Sequence, residues 1–408
     1  MLSFHQYLIL LSHKKLRTLL LFSFFTILIV TPETVKSQSI NKTRMGEGFQ
    51  FLAADSSFYL QLNTRFQSLY EGAYSYEDDT YSDQMMIRRA RFKMEGFAYS
   101  PSLEYKIELA LSNRDIGGST QPEFNNTANI VLDAVVKWEF APNFALWFGQ
   151  TKLPGNRERV ISSQRLQFVD RSLLNSDFNI DRDAGVQLHH TFSAGKVVFR
   201  EAFAVSLGEG RNYTVTNRGG YDYTGRVEVL PFGEFTAGGD YFASDLAREK
   251  TPKLSVGVSY DYNDRASRQG GQLGSFVDTQ RTLKALFVDA MFKYQGFSMM
   301  AEYADKETVG SPVVETDGQG RVVRTFRTGS GINLQGGYLF SNNYEIAGRY
   351  TYIDAEALTQ REDLKQYTLG LSKYIAGHTV KFQTDVSLLR VNAENNELMY
   401  RFQVEMGF

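Results

Sequence analysis

Apolar and polar side chains alternate with a period of two along most of the chain after residue 55. Phe58, Leu60, Leu62 and Phe66 share one parity, whereas the residues between them, such as Arg65, are mostly polar. Since successive side chains of a β-strand point to opposite faces, this pattern predicts strands with one apolar face and one wet face. The alternation recurs in the segments 90–95, 103–109, 130–140, 254–262, 344–352 and 398–408. A soluble sandwich would alternate in the same way, so the choice of architecture depends on the rest of the chain.

The first 37 residues follow a different pattern. Basic residues, Lys14, Lys15 and Arg17, precede an apolar run over 19–30, and small residues flank a cleavage site that ends at Ser37. This arrangement predicts a signal peptide, residues 1–37, because the apolar run is shorter than the ~20 residues of a transmembrane helix. A retained N-terminal anchor is the alternative. Residues 38–55 are polar and are expected to form a periplasmic lead-in.

No apolar stretch of helical-span length follows the predicted signal peptide. Only helices and closed barrels satisfy the backbone hydrogen bonds in lipid, so a membrane-embedded mature chain must form a barrel. The signal peptide, the strand lengths and the aromatic-ended apolar rows favour this barrel over the soluble sandwich. The expected location is therefore the cell outer membrane, with outer-membrane lipid as a partner.

Very short links alternate with longer polar segments. The short links fall at 100–101, 142–143, 193–195, 295–296, 341–343 and 376–377, and the longer segments lie near 71–83, 112–128, 153–182, 208–221, 264–279, 307–328, 355–363 and 392–397. Outer-membrane barrels have short periplasmic turns and long outer loops. A direct count gives seventeen strands, but both termini should be periplasmic, which requires an even number. Treating 232–252 as a periplasmic excursion leaves about sixteen strands, the class with an aqueous lumen.

Composition narrows the chemistry further. The chain has 23 Tyr and 31 Phe, and aromatic residues are enriched where a barrel meets the membrane interface. It has no cysteine, which excludes thiolate chemistry, disulfides and Cys-ligated metals. Cleavage after residue 37 leaves 40 basic and 45 acidic residues, a net charge of −5. Nucleic acid is therefore not an expected partner, and any preference for anions must come from the local placement of charge.

The segment 153–182 is the longest loop, with 30 residues of mixed charge. Long loops in compact folds are usually functional or disordered. Folded inward, this loop would narrow the lumen and present fixed charges that select the solute; an outward loop with solvated charges is the alternative. Its candidate anion-binding residues are Arg157, Arg159, Arg165, Arg171 and Arg182.

The clearest basic row follows the first long segment and consists of Arg89, Arg91 and Lys93. Alternate residues of a strand stand ~6.6 Å apart, so this row would form a ladder of positive charge along the lumen wall. Lys106 on the next strand is a further pore-lining candidate. Glu104 and Glu108 flank it, so a charge-paired wall is the alternative. Arg88 has the opposite parity and is expected near a strand end.

Other chemical motifs are weak. A calcium-loop alternation at 177–183 has Arg182 where the sharp-turn glycine belongs. No G-x-S-x-G elbow is present. We therefore expect no enzymatic activity, no catalytic residues, no cofactor and no metal. The histidines after residue 37 are His189, His190 and His378.

Several segments resemble the phosphate-selective porin O and P family. They are RRARFKMEGFAYSPSLEYKIELALSNRD (88–115), GQTKLPGNRERVISSQRLQFVDRSLLNSDFNIDRDAGVQL (149–188), PKLSVGVSYDYND (252–264) and DAMFKYQGFSMMAEYADK (289–306). The sequences of these segments are most similar to family members from Bacteroidetes. The resemblance covers most of the mature chain. Phe408 is similar to the C-terminal aromatic residue that barrel-assembly machinery recognises.

The resemblance implies a sixteen-stranded barrel that is usually a homotrimer, with an inward-folded loop and a basic lumen that passes phosphate. Arg89, Arg91 and Lys93 match the family's basic row, and the four arginines between 157 and 171 match the region of its constriction loop. The overall expectation is an all-β chain, with a transmembrane antiparallel β-barrel over 56–408 and a constriction loop at 153–182.

Three functions remain open at the level of sequence. The first is an outer-membrane porin for passive diffusion of small solutes with a preference for anions such as phosphate. The second is a general diffusion porin for small neutral solutes, and the third is a plugged structural or adhesive barrel. The charge that lines the lumen distinguishes the first two.

Overall fold

The computed structural model describes residues 45–116, 129–392 and 394–408. Its strands close into an antiparallel barrel in which each strand pairs with its neighbour along the chain, and the last strand pairs with the first long one. The predicted signal peptide lies outside the described residues. Within them, no helix is both long and apolar enough to cross a membrane.

The strands are β1 (Phe49–Leu52), β2 (Phe58–Ser75), β3 (Thr80–Ala98), β4 (Ser100–Ala110), β5 (Val131–Ala141), β6 (Phe144–Lys152), β7 (Arg182–Ala194), β8 (Val197–Ser206), β9 (Asp222–Leu230), β10 (Lys253–Arg268), β11 (Phe276–Tyr294), β12 (Phe297–Thr308), β13 (Val313–Thr316), β14 (Val322–Thr325), β15 (Gly329–Leu339), β16 (Tyr344–Ala355), β17 (Leu364–Ala376), β18 (Val380–Val391) and β19 (Glu394–Gly407). Short helices are α1 (Asn113–Ile116), α2 (Arg157–Val160) and α3 (Leu173–Phe178), with 3₁₀ turns at Ser163–Arg165, Thr236–Tyr241 and Ala357–Thr359.

Sixteen of these strands form the barrel wall, which confirms the count derived from turn parity. Each of the six predicted short links lies at or beside a turn between two consecutive wall strands, although the first turn is at Tyr99 rather than at 100–101, which begin β4. The segment 232–252 contains no strand and joins β9 to β10, as the parity argument requires. The hairpin β13–β14 is a separate two-stranded sheet within the outer segment 307–328.

Burial along the strands confirms the two-faced pattern. In β16, Ile346 is 49% exposed on the outer face, whereas the neighbouring Glu345 and Arg349 are 1% and 5% exposed on the inner face. A polar residue that is buried inside a barrel must have partners there. The inner wall therefore presents many polar groups that form hydrogen bonds with one another or with the segments folded inside the barrel.

Two parts of the sequence prediction differ from the structure. The strands β2 and β3 continue through most of 71–83, because their polar residues pair across a tall hairpin that ends at 76–79. The expected lead-in contains β1, which pairs with the first residues of β2 beyond the end of β19. A polar segment can therefore form a strand when its backbone hydrogen-bonds to a neighbouring strand.

Candidate functional site

The inward loop, residues 153–182, crosses the barrel interior, and its central anchor is Arg157. This side chain is fully buried. Its Nε donates to Asp289 Oδ1 at 2.6 Å, and its Nη2 donates to Glu228 Oε1 at 3.0 Å and to Ser255 Oγ at 2.8 Å. Its Nη1 donates to the carbonyl oxygen of Asp240 at 3.1 Å. These contacts attach the loop to the β9–β11 part of the wall and to the periplasmic excursion.

Further contacts attach the loop to the wall between β12 and β18. They are Asn156 Nδ2 to Glu302 Oε1 at 2.9 Å, Gln167 Nε2 to Glu345 Oε1 at 2.7 Å, and the Val169 amide to Asp385 Oδ2 at 3.1 Å. Each one uses a carboxylate of the inner wall as the acceptor. The loop therefore covers the acidic side of the barrel and satisfies its charges.

The loop also leaves an open cavity of about 1480 Å³ on its other side. Its lining extends from the turn at Gly377 to Arg114 and Arg211 in the outer loops. Among the described residues, eighteen basic and nine acidic side chains line it. The basic ones are Arg65, Arg88, Arg89, Arg91, Lys93, Lys106, Arg114, Lys137, Lys152, Arg159, Arg165, Arg171, Arg182, Arg200, Arg211, Arg226, Lys293 and Arg401.

Buried charges away from the cavity have the opposite balance. In the described part of the chain, twelve buried carboxylate residues and only four buried cationic residues do not line the cavity. These carboxylates include Asp289, which binds Arg157, and the carboxylates that bind Asn156, Gln167 and Val169. Buried charge away from the cavity is thus mainly acidic, whereas the charge along the cavity is mainly basic.

The predicted basic row lies on the cavity wall, and each of its members is paired. Arg89 Nη2 donates to Asp170 Oδ1 at 2.9 Å, and Arg91 Nη1 donates to Glu108 Oε1 at 2.9 Å. The other pairs are Arg91–Asp115 at 2.8 Å, Lys93–Glu95 at 2.6 Å, Lys106–Asp133 at 2.6 Å and Lys106–Glu108 at 3.1 Å. The charge-paired alternative thus describes this part of the wall.

Arg88 lines the cavity as well, which its sequence parity did not predict. The pairing of β2 with β3 shifts between Gln67 and Ser68, so Arg88 is an extra residue in the ladder. A β-bulge of this kind re-aims a side chain. As a result, Arg88 Nη2 donates to Asp170 Oδ2 at 2.6 Å, beside Arg89.

The five candidate arginines of the loop have different environments. Arg157 does not line the cavity, because it is buried behind the loop. Arg159 pairs with Asp181, Arg182 pairs with Asp133, and Arg165 lies over the Phe242 ring at 3.9 Å. Arg171 donates to the carbonyl oxygens of Glu158 at 2.9 Å and Ile161 at 2.6 Å. Arg171 has no ion pair with any described carboxylate.

The surroundings favour the charged form of Asp170 and oppose the charged form of Arg171. Burial alone would raise the pKa of Asp170, but Arg89 and Arg88 outweigh it and hold that pKa well below its ordinary value. Burial lowers the pKa of the Arg171 guanidinium, and Arg159 and Arg89 lower it further. Asp170 is therefore a stable anion, and Arg171 is a cation in a field of other cations.

Several cavity cations were not among the sequence candidates. Lys152 Nζ donates to the carbonyl oxygens of Val160 at 2.8 Å and Ile161 at 3.3 Å, and Arg211 Nη2 donates to that of Asp115 at 2.7 Å. These residues lie at a strand end and in an outer loop, where alternation gives no orientation. Their basic character was the only available signal.

Comparisons with known proteins agree with this geometry. The profile of the family described as "Phosphate-selective porin O and P" matches residues 60–403. A curated protein of Aquifex aeolicus, described as uncharacterized, is 23% identical over a 302-residue alignment that covers 67% of each chain. In fold, the chain is similar to a loop-deletion mutant of the Vibrio cholerae outer-membrane protein OmpT and to the anion-selective porin from Comamonas acidovorans. Their TM-scores are 0.56 and 0.53, each at 11% identity, with 86% of this chain and 100% and 99% of theirs covered.

The profile match spans most of the chain, and the sixteen-stranded wall encloses an open cavity. The protein therefore belongs to the phosphate-selective porin O and P family and is a porin of the outer membrane.

Proposed function

We propose that this porin lets small solutes diffuse passively and prefers anions. The observation that carries the proposal is the twofold excess of basic over acidic side chains along the cavity. The net charge of the mature chain is not in conflict with it, because buried carboxylates outnumber buried cations away from the cavity. Fixed charges that line a narrow pore select ions of the opposite sign.

Arg171 and Lys152 are the proposed centre of the preference. Both donate to carbonyl oxygens of the loop, and neither forms an ion pair with a described carboxylate. The paired residues Arg89, Arg91 and Lys106 contribute less net charge. The remaining sequence candidates that line the cavity are Lys93, Arg159, Arg165 and Arg182.

Reversal potentials in a planar bilayer under a KCl gradient test the proposal. We expect the wild type to favour chloride, and Arg171→Gln to lower the chloride-to-potassium permeability ratio by about twofold, as for one unit charge ~8 Å from the ion path in water when salt screens it over a Debye length of ~8 Å. Arg321→Gln is the matched control, because Arg321 is exposed in the outer hairpin and does not line the cavity. Cation preference of the wild type would contradict the proposal.

The same bilayer identifies the anion class. Arginine offers planar donors that suit phosphate, so added phosphate is expected to reduce the chloride current. If added phosphate leaves the chloride current unchanged, the protein is an anion-selective porin that does not bind phosphate in its pore. Equal permeability of both ions would favour the general diffusion porin instead.

We also propose that the protein assembles as a homotrimer. The Vibrio cholerae protein OmpT, which has a similar fold, is described in a trimer form. The outer face offers exposed aromatic residues on neighbouring strands, including Trp138, Phe148 and Phe203. Crosslinking of the detergent-solubilised protein should give a ladder that ends at three copies, and a single band of one copy would contradict this proposal.

A further inference from the structure

The periplasmic strap, residues 232–252, crosses the end of the barrel opposite the outer loops. It leaves the wall after β9 and returns to it at β10. On the way, Ser244 Oγ donates to Glu345 Oε2 at 2.7 Å, and Arg248 Nη2 donates to the Phe340 carbonyl oxygen at 2.7 Å. The strap therefore reaches the β15–β16 turn, several strands away from its origin.

Contacts along its length hold the strap in this position. Arg200 Nη1 donates to Asp240 Oδ2 at 2.6 Å. Lys293 Nζ donates to the carbonyl oxygens of Gly239 and Ser244, both at 2.7 Å. The Gly296 amide donates to Asp245 Oδ2 at 2.8 Å. These partners belong to the inner wall or its turns, so the strap is built into the barrel.

The strap also contacts the inward loop. The Ala243 amide donates to the Arg165 carbonyl oxygen at 2.9 Å, and the Arg165 guanidinium lies over the Phe242 ring. Phe235 belongs to a buried apolar cluster with Ile161 and Leu166 of the loop. The two segments thus form one internal partition, although they enter from opposite ends of the barrel.

The tip of the strap faces the cavity. Thr236, Ala237 and Gly238 are exposed and line it, as does Ala247. Ala237 has φ 52° and ψ 38°, a left-handed conformation that is uncommon for a residue with a side chain. Such a conformation persists where surrounding contacts determine it, as those of Asp240 and Phe235 do here.

We propose that the strap forms a second aperture of the pore, at its periplasmic end, and that residues 236–238 and Ala247 set the size of solute that leaves it. The inward loop and the strap then act in series. A solute that passes the basic residues around Arg171 meets small side chains and backbone at the strap. This inference rests on the porin function, and it does not depend on the sign of the ion preference.

Single cysteines test the proposal cleanly, because the chain has none of its own. Ala237→Cys and Ala247→Cys channels are treated in a bilayer with an anionic sulfonatoethyl or a cationic trimethylammonioethyl methanethiosulfonate. Either label adds bulk at the aperture, so both should lower the single-channel conductance, by roughly one third. Gln319→Cys is the control, since this exposed residue of the outer hairpin does not line the cavity.

The outcomes separate the aperture from the ion preference. A loss of conductance with both labels supports the aperture, whatever the selectivity. A difference between the labels in reversal potential reports the sign of the preference. If mass spectrometry confirms labelling at both strap positions and the conductance equals that of labelled Gln319→Cys, the strap is not part of the conduction path and the inference is wrong.

Discussion

At the scale of single residues, Asp170 is the carboxylate that joins the inward loop to the basic wall. Its two oxygens accept from Arg88 and Arg89, and its carbonyl oxygen accepts from Arg349 at 2.9 Å. One anion therefore neutralises part of two cations beside the cavity. Removal of the Asp170 charge should therefore make the cavity more positive, while Arg88 and Arg89 remain on its wall.

Asp170→Asn is expected to raise the chloride-to-potassium permeability ratio about twofold, for the loss of one unit charge ~8 Å from the ion path that salt screens over a Debye length of ~8 Å. Reversal potentials under a KCl gradient measure this change. Asp317→Asn provides the control, because Asp317 pairs with Arg321 in the outer hairpin. A ratio that falls in Asp170→Asn would show that Asp170 acts through loop position rather than charge.

The pH dependence of this variant has a defined sign. A carboxylate with a depressed pKa stays ionised below its ordinary value, so its ion pairs persist until the pH falls through the lowered pKa. The pKa of Asp170 is depressed by Arg89 and Arg88 against the effect of burial. The difference between wild type and Asp170→Asn should therefore be as large at about pH 4 as at pH 7, whereas an ordinary Asp would be partly protonated there.

At the scale of elements, the inward loop is held by a few buried contacts. Arg157 is the most connected, with bonds to Asp289, Glu228, Ser255 and the Asp240 carbonyl oxygen. Arg226 also pairs with Glu228 and Asp289, so the carboxylates keep one partner when Arg157 is removed. The loop itself would lose its attachment to the β9–β11 part of the wall.

Arg157→Met should cost about 3 kcal/mol of stability, because it breaks a buried charged network while retaining much of the volume. Thermal unfolding in detergent measures the loss, and bilayer recordings should show larger and noisier single-channel currents. Arg324→Met changes the same residue type at the exposed pair with Glu315 and should alter neither. Wild-type currents in Arg157→Met would exclude Arg157 as an anchor of the loop.

Sequence alone predicted the strands and their number. Alternation is visible within each strand, and turn parity follows from the order of short and long links along the chain. It could not predict the bulge that turns Arg88 inward, because a shift of one residue depends on the partner strand. Arg157 was expected to line the pore, yet its carboxylate partners lie 71 or more residues away in sequence. Partners at that distance in sequence carry no local signal.

At the scale of the whole molecule, the distribution of charge matters more than its sum. The chain has 46 acidic and 44 basic residues, yet basic residues outnumber acidic ones two to one along the cavity. The inward loop contributes to this separation, because it binds four wall carboxylates that do not line the cavity, Asp289, Glu302, Glu345 and Asp385. Net charge therefore predicts little about the selectivity of such a barrel.

The last residue also belongs to the wall. The Phe408 amide donates to the Thr64 carbonyl oxygen at 2.8 Å, and the Phe408 side chain is 47% exposed. If barrel-assembly machinery recognises Phe408, as the family resemblance implies, Phe408→Ala should lower the amount of folded porin in the outer membrane several-fold. Heat-modifiable migration on gels measures the folded fraction. Phe232→Ala, at another exposed aromatic residue, should leave that amount unchanged.

The seam between β2 and β19 imposes an order on assembly. Arg65 and Glu405, which pair across it at 3.0 Å, are 340 residues apart in sequence. Because β19 follows every other wall strand along the chain, the ring can close only after almost all of these strands have been exported. The wall partners of the inward loop at Glu302, Glu345 and Asp385 also follow the loop in the chain. The cavity beside the inward loop must therefore form late. A chain that ended prematurely would lack both the β2–β19 pairing that closes the barrel and the wall contacts that hold the inward loop.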